Sequence, residues 1–327
     1  MTPERIPRWL RLRLPPSDLV VLLLLALSVV VAGVRLPFVE PAGELVRLFV
    51  IQLGLLIAFS LTAAAMIRWE GRTWVHFVRP AATIGVVFTC YTTLGALGVA
   101  AVPYRADGWL SQADTLLLGF NPTFAIEPYL TPERIEFFAF FYGAFIPYIY
   151  VTLALNCLGQ PVLVREQFLT GWVILYFISY LGYIFLPAHG PLIYHAAEYT
   201  VPITGGFFLK MVQDGIESTG GMQGVFPSLH VGCSLYLCLF ELRVNRLRGL
   251  VYLPLVLLIY AATIVLRYHY VVDLIAGTAL AAISLPLGRV VFCRWDAAAC
   301  ARGWDCCRCS GNRRCPSPVA AETARPK

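Results

Sequence analysis

Eight apolar stretches, each of a length suited to crossing a bilayer as a helix, occupy approximately residues 19–34, 45–66, 81–103, 137–158, 168–187, 227–242, 249–266 and 270–292. A hydrocarbon layer of about 30 Å offers no water to a peptide group, and about 20 helical residues cross it with every N–H and C=O bonded within the segment. The pattern predicts an all-α fold: a polytopic membrane helix bundle of about eight transmembrane helices. Residues 19–292 form this domain, preceded by a basic N-terminus (1–18) and followed by a Cys- and Arg-rich tail (293–327) expected to be disordered. The sixth run is shorter than the rest, and the second carries Arg47 and Gln52. Arg5, Arg8, Arg11 and Arg13 precede the first run as they would in a signal peptide, but its apolar core is longer and no clear small-residue cleavage site ends it. It reads as an uncleaved anchor.

Composition agrees, because 58% of the residues are hydrophobic and only 13% charged, outside the range of soluble domains. The net charge of +6 does not point to nucleic acid, since the Arg residues sit in short clusters between apolar runs. No phosphate-binding loop, dinucleotide fingerprint or internal repeat is present, so nucleotide-driven transport has no support. Short basic loops stay cytoplasmic. The N-terminus, Arg68, Arg72 and Arg79, then Arg243, Arg246 and Arg248, and the tail all fall on one face if there are eight spans. Both termini are therefore expected to be cytoplasmic, and the segments 104–135, 188–226 and 267–269 are expected on the opposite face. There, Ala113 to Phe120 suits either a short interfacial helix or an ordinary loop. The tail holds Cys293, Cys300, Cys306, Cys307, Cys309 and Cys315 in a spacing that fits no CxxC…CxxC pair, which favours a disordered, reduced tail over zinc ligation or lipidation.

Four of the five His residues, His189, His195, His230 and His269, fall on the non-cytoplasmic side of this topology. Ionisable groups at a membrane boundary are costly without a partner or a task. Phe226-Pro227-Ser228-Leu229-His230 opens a span, and a helix start with free N–H groups can hold an anion such as phosphate. A plain Ser-capped helix start explains the same residues. Arg267-Tyr268-His269-Tyr270-Val271-Val272-Asp273 opens the last span. His269 and Asp273, four apart, share a face on a helix, so the carboxylate can bind one imidazole nitrogen and leave the other basic. A self-satisfying polar pair would account for that spacing but not for a second His-bearing helix start on the same side.

Pro227-Ser228-Leu229-His230, followed about forty residues later by His269-x3-Asp273, resembles the last two motifs of the type 2 phosphatidic acid phosphatase superfamily. The wording Phe-Pro-Ser-Leu-His with His-Tyr-x-x-Asp-Leu-Ile-x-Gly is similar to its inositol phosphorylceramide synthase branch. The resemblance covers about residues 186–292. It implies phosphoryl transfer without metal or other cofactor: His269 attacks phosphorus, Asp273 orients it, and His230 protonates the departing oxygen and later activates the acceptor. Ser228, Arg267 and His189 become the expected phosphate contacts, and the substrate is expected to be a lipid phosphate or phospholipid. Two features depart from the superfamily pattern. Ala262 and Thr263 stand where its third motif has Ser-Arg, and Arg72-x6-Arg79-Pro80, which imitates its first motif, is placed by topology on the wrong face. Pro187-Ala188-His189-Gly190-Pro191 fills that place in chain order.

The expected function is head-group transfer, with a lipid phosphate phosphatase as the close alternative. A transporter relaying protons through His would need charged residues near mid-span, and the span interiors are almost free of them. Neither a nucleic-acid partner nor an oligomeric state follows from the sequence.

Overall fold

Every apolar run folds as a helix, and the helices extend past the runs because backbone hydrogen bonding does not stop where the hydrocarbon does. The computed structural model describes residues 14–69, 72 and 74–301. Its long helices are α1 (Pro16–Arg35), α2 (Gly43–Arg68) and α3 (Val75–Ala101). After them come α4 (Asp107–Leu118) and the one-turn α5 (Pro122–Ala125), then α6 (Pro132–Leu158) and α7 (Val162–Phe185). The short α8 (Pro191–Tyr194) and α9 (Phe207–Ser218) lead to α10 (Leu229–Val244), α11 (Arg246–Val265) and α12 (Val271–Ala301). No strand occurs among the described residues.

Seven of these helices are long and apolar enough to cross a membrane. Of the eight expected spans the exception is α10, with 16 residues, about 24 Å of helix at 1.5 Å per residue and so short of a hydrocarbon core. It lies inside the bundle, packed on α6, α7, α11 and α12, with residues buried all round rather than on one stripe. A helix enclosed in this way does not have to match the lipid.

The interior is organised around α7, whose most apolar stretch is 72% buried against 22–39% in the other candidate spans. Trp172, Tyr176, Tyr180 and Tyr183 supply its buried bulk, and the Tyr180 hydroxyl donates to the Val87 carbonyl at 2.6 Å. Gln52 is fully buried and joins three helices, accepting from Ser28 Oγ at 3.0 Å and donating to Thr93 Oγ1 at 2.7 Å. A polar side chain in a span is thereby satisfied, and α2 is a genuine member of the bundle. Leu23 on α1 and Leu61 on α2 point outward, as a lipid-facing band requires.

Three boundaries differ from expectation. Arg79 is inside α3 rather than in a loop, the 243–248 connection shrinks to Asn245, and α12 runs to Ala301, so the start of the supposed tail is helical. Asn245 ends one helix and caps the next, its side chain accepting from the Arg248 amide; a single well-chosen cap replaces a loop. The rest of the tail, with Cys306, Cys307, Cys309 and Cys315, and the N-terminal Arg residues up to Arg13 lie outside the described residues.

One group of buried charges lies at the end of the bundle away from His230 and His269. Arg79 pairs with Asp18 at 2.8 Å, and Glu241 accepts from Arg248 Nε at 2.7 Å and Asn156 Nδ2 at 2.6 Å. Arg79 is 16 residues before Gly95, which abuts the Gln223 backbone at the other end. That is about 24 Å along α3, so the Arg72-x6-Arg79-Pro80 imitation stands far from His230 and His269.

Close helix approach brings the two His-bearing segments together. A side-chain carbon on Gly277 of α12 would stand 2.5 Å from the Ser228 carbonyl and 3.1 Å from the Gly232 nitrogen of α10. Small residues at such crossings let backbones touch. Gly277→Ala is therefore expected to destabilise the protein by about 1–3 kcal/mol through overpacking, read as a lowered melting temperature of the purified protein, with turnover falling as the two helix starts separate.

Candidate active site

His230 sits in the first turn of α10. The Ser228 side chain caps that turn, accepting from the Val231 amide at 3.4 Å, and Pro227 precedes the cap rather than entering the helix. The imidazole of His230 stacks on Tyr142 at 4.4 Å between centroids and lies 4.5 Å from Phe145, both on α6. The aromatic walls settle the ring's orientation before any substrate arrives.

His269 is just outside α12, in the turn that follows α11. Arg267 turns the chain there with φ of 62°, a left-handed conformation that a non-glycine residue adopts only when its surroundings hold it. The Tyr268 and His269 amides both return to the Thr263 carbonyl, at 2.9 and 3.2 Å. Because His269 precedes the helix, it does not meet Asp273 along a helical face as the spacing implied. The Asp273 Oδ2 atom folds back over the start of α12, accepting from His269 Nδ1 at 3.3 Å and from the Tyr270 amide at 2.9 Å. The carboxylate is at once helix cap and imidazole partner.

The second ring nitrogen of His269, Nε2, lies 3.4 Å from His230 Nδ1. Both rings open onto a cleft walled by Tyr91, Thr92 and Tyr142 and by the 219–225 loop. Burial, and then the neighbouring His230, push His269 well below the usual histidine range. Those surroundings favour the neutral imidazole over the cation.

The other expected phosphate contacts are placed one layer further out. The Arg267 guanidinium is buried and stacks on Tyr199 at 3.7 Å, donating to Glu127 Oε1 at 2.8 Å and to the Val201 carbonyl at 2.9 Å. Burial alone would raise the Glu127 pKa, but the Val201 and Thr200 amides and the Arg267 charge hold it below the usual carboxylate range. His189 packs its ring against the cleft loop, with Nδ1 2.9 Å from the Met222 carbonyl. His195 does not reach the cluster: it bridges Ser111 Oγ at 2.9 Å and Glu198 at 2.7 Å, tying its loop to α4.

Sequence reasoning missed α4 as a support. The helix takes in most of the 113–120 stretch, ending at Leu118, and begins earlier, at Asp107. Asp107 and Asp114 are seven apart and share its inner face. Asp107 accepts from the Gly190 amide at 2.8 Å and the Tyr270 hydroxyl at 3.0 Å, and Asp114 from the Val271 and Val272 amides, each at 2.8 Å. Burial pushes Asp114 up, and those two amides oppose it. Two carboxylates two turns apart, in a helix whose other face is apolar, were the available signal.

A PA-phosphatase related-family protein of Dictyostelium discoideum is 30% identical over 127 residues, 38% of this chain and 23% of that protein. The chain thus matches about a quarter of that relative's length. No solved structure matches the chain. Residues 108–287 match the PAP2 superfamily, a stretch that runs from the second residue of α4 to within α12 and takes in His230, His269 and Asp273. Because that stretch is more than half of the 327 residues, the chain belongs to the PAP2 superfamily.

Proposed function

We propose that this multi-pass membrane protein is a phosphotransferase that moves a phosphoryl-linked lipid head group through a phosphohistidine on His269. The observation that carries the reading is the 3.4 Å separation of His269 Nε2 and His230 Nδ1, with Asp273 on the far nitrogen of His269. One phosphoryl group entering from the cleft reaches both rings. His269 Nε2 forms the bond to phosphorus while Asp273 stabilises the cation that develops. His230 gives a proton to the departing oxygen and then takes one from the incoming hydroxyl. The start of α10, with Ser228 as cap, directs its dipole at the same place. Arg267 and His189 act at one remove in this scheme, holding the turn and the cleft loop.

Transfer from a phosphodiester is favoured over hydrolysis of a monoester by the charge of the cleft. None of the described residues walling it is Lys or Arg. A phosphomonoester carries close to two negative charges at neutral pH, whereas a diester carries one and makes less demand for cations. The Tyr268 hydroxyl and Gln223 Oε1 are buried with no hydrogen-bond partner among the described residues, and both residues wall the cleft. They offer neutral polar contacts suited to a hydroxylated head group or acceptor. The Arg clusters at the opposite end of the bundle favour a cytoplasmic location for that end, with the site on the non-cytoplasmic face.

Purified protein incubated with phosphatidylinositol and ceramide is expected to yield a new phosphorus-bearing sphingolipid, identified by mass spectrometry. Phosphate release from phosphatidic acid, with no lipid product from the first mixture, would reverse the assignment to a phosphatase.

A further inference from the structure

We propose that Asp114 on α4, assisted by Asp107, is a positioning residue that sets the geometry of the His269–Asp273 pair, a role that rests on the phosphohistidine reading above. Val271 and Val272 lie between His269 and Asp273 in the chain, and their amides are the two groups that Asp114 binds, each at 2.8 Å. Asp107 receives the Tyr270 hydroxyl at 3.0 Å, and Tyr270 donates its own amide to Asp273. Residues 270, 271 and 272 are thus each tied to a carboxylate of α4, and Tyr270 to Asp273 as well.

Both acids are nearly inaccessible, at 1% exposure for Asp114 and 2% for Asp107. Burying a carboxylate without a charged partner is costly, and their hydrogen bonds come from amides and a hydroxyl. The negative charge at the start of α12 is favourable in the helix field. The left-handed Arg267 two residues before His269 supplies the complementary reason: a turn away from its relaxed backbone keeps its shape only while its neighbours are held. An isosteric amide cannot do the same work. Asn at 114 accepts one of the two N–H groups and turns an NH2 toward the other, donor against donor.

Glu136 provides a control with the same chemistry in another place. Its carboxylate accepts the amides of Gly206, Phe208 and Leu209 at the start of α9, away from the α12 turn.

The test compares full-length Asp114→Asn, Glu136→Gln and His269→Ala with the native protein in lipid vesicles. Asp114→Asn is expected to lower kcat on the order of 10²-fold, the scale of a displacement near 1 Å at a reacting group, with KM within about twofold and an unchanged elution profile. Glu136→Gln is expected to leave kcat intact. If Asp114→Asn does not accumulate in membranes, Tyr270→Phe, which removes only the hydroxyl given to Asp107, is expected to lower kcat about fivefold. An undiminished kcat in Asp114→Asn (or in Tyr270→Phe where that variant stands in), an equal loss in Glu136→Gln, or a loss confined to KM would overturn the positioning role. A protein inactivated by His269→Ala but not by Asp114→Asn refutes this role alone. Turnover retained in His269→Ala refutes the phosphohistidine reading, and the positioning role falls with it.

Discussion

Replacing His269 with alanine is expected to abolish turnover, with a loss on the order of 10⁴-fold or more, while the protein still reaches the membrane and elutes as the native protein does. The magnitude follows from losing the nucleophile of a covalent mechanism, where removal of one member costs nearly as much as removal of the set. Alanine removes the Nε2 that would bond to phosphorus and frees Asp273 from the nitrogen it faces at 3.3 Å. Asp273 keeps the Tyr270 amide at 2.9 Å, so the start of α12 stays capped and the fold is spared. Acid-labile, base-stable radiolabel on the native protein, absent from the variant, is the measurement that ties the loss to chemistry. Product formed by His269→Ala at even a tenth of the native rate would remove the mechanism.

His230→Ala is expected to act differently, and the difference is diagnostic. A general acid contributes typically about 10²–10⁴-fold, and its absence is felt in proportion to how poor the leaving group is. With an alkoxide leaving group the variant should lose on the order of 10³-fold. With a nitrophenolate leaving group, which departs without a proton, formation of the phosphohistidine should proceed at close to the native rate. Equal losses for both substrates would contradict the acid role and recast His230 as a wall of the cleft. Its stacking on Tyr142 makes that second outcome physically reasonable, which is why the leaving-group series is more informative than a single rate.

Both experiments bear on a site assembled from three separated stretches of chain. His230 arrives on an enclosed helix too short to span by itself, His269 on a turn shaped by a left-handed arginine, and the scaffold for that turn on α4, more than 150 residues earlier in the chain. The membrane supplies a reason for this construction. Loops at the end of a bundle cannot rely on a thick hydrophobic core, so carboxylates bonded to backbone amides hold them instead. Asp107, Asp114, Glu127 and Glu136 all do this on the side of the site.

The all-α class, the helices of the bundle and the neighbourhood of His230 and His269 were legible from residue order alone, because each depends on a local property. Twenty apolar residues must be helical wherever they meet lipid, and a Pro-Ser step before an apolar run ends one segment and starts another whatever surrounds it. What remained invisible was decided by contacts between distant segments. The spacing of His269 and Asp273 read as one helical face, yet they meet across a cap, because Asp114 and the Arg267 turn start the helix after His269 rather than before it. Arg267 looked like a cation for phosphate, and only the fold shows Glu127 and the Val201 carbonyl occupying its guanidinium. Hydrophobic pattern is written residue by residue, whereas the partner of a buried charge is chosen by whichever segment the folded chain lays beside it.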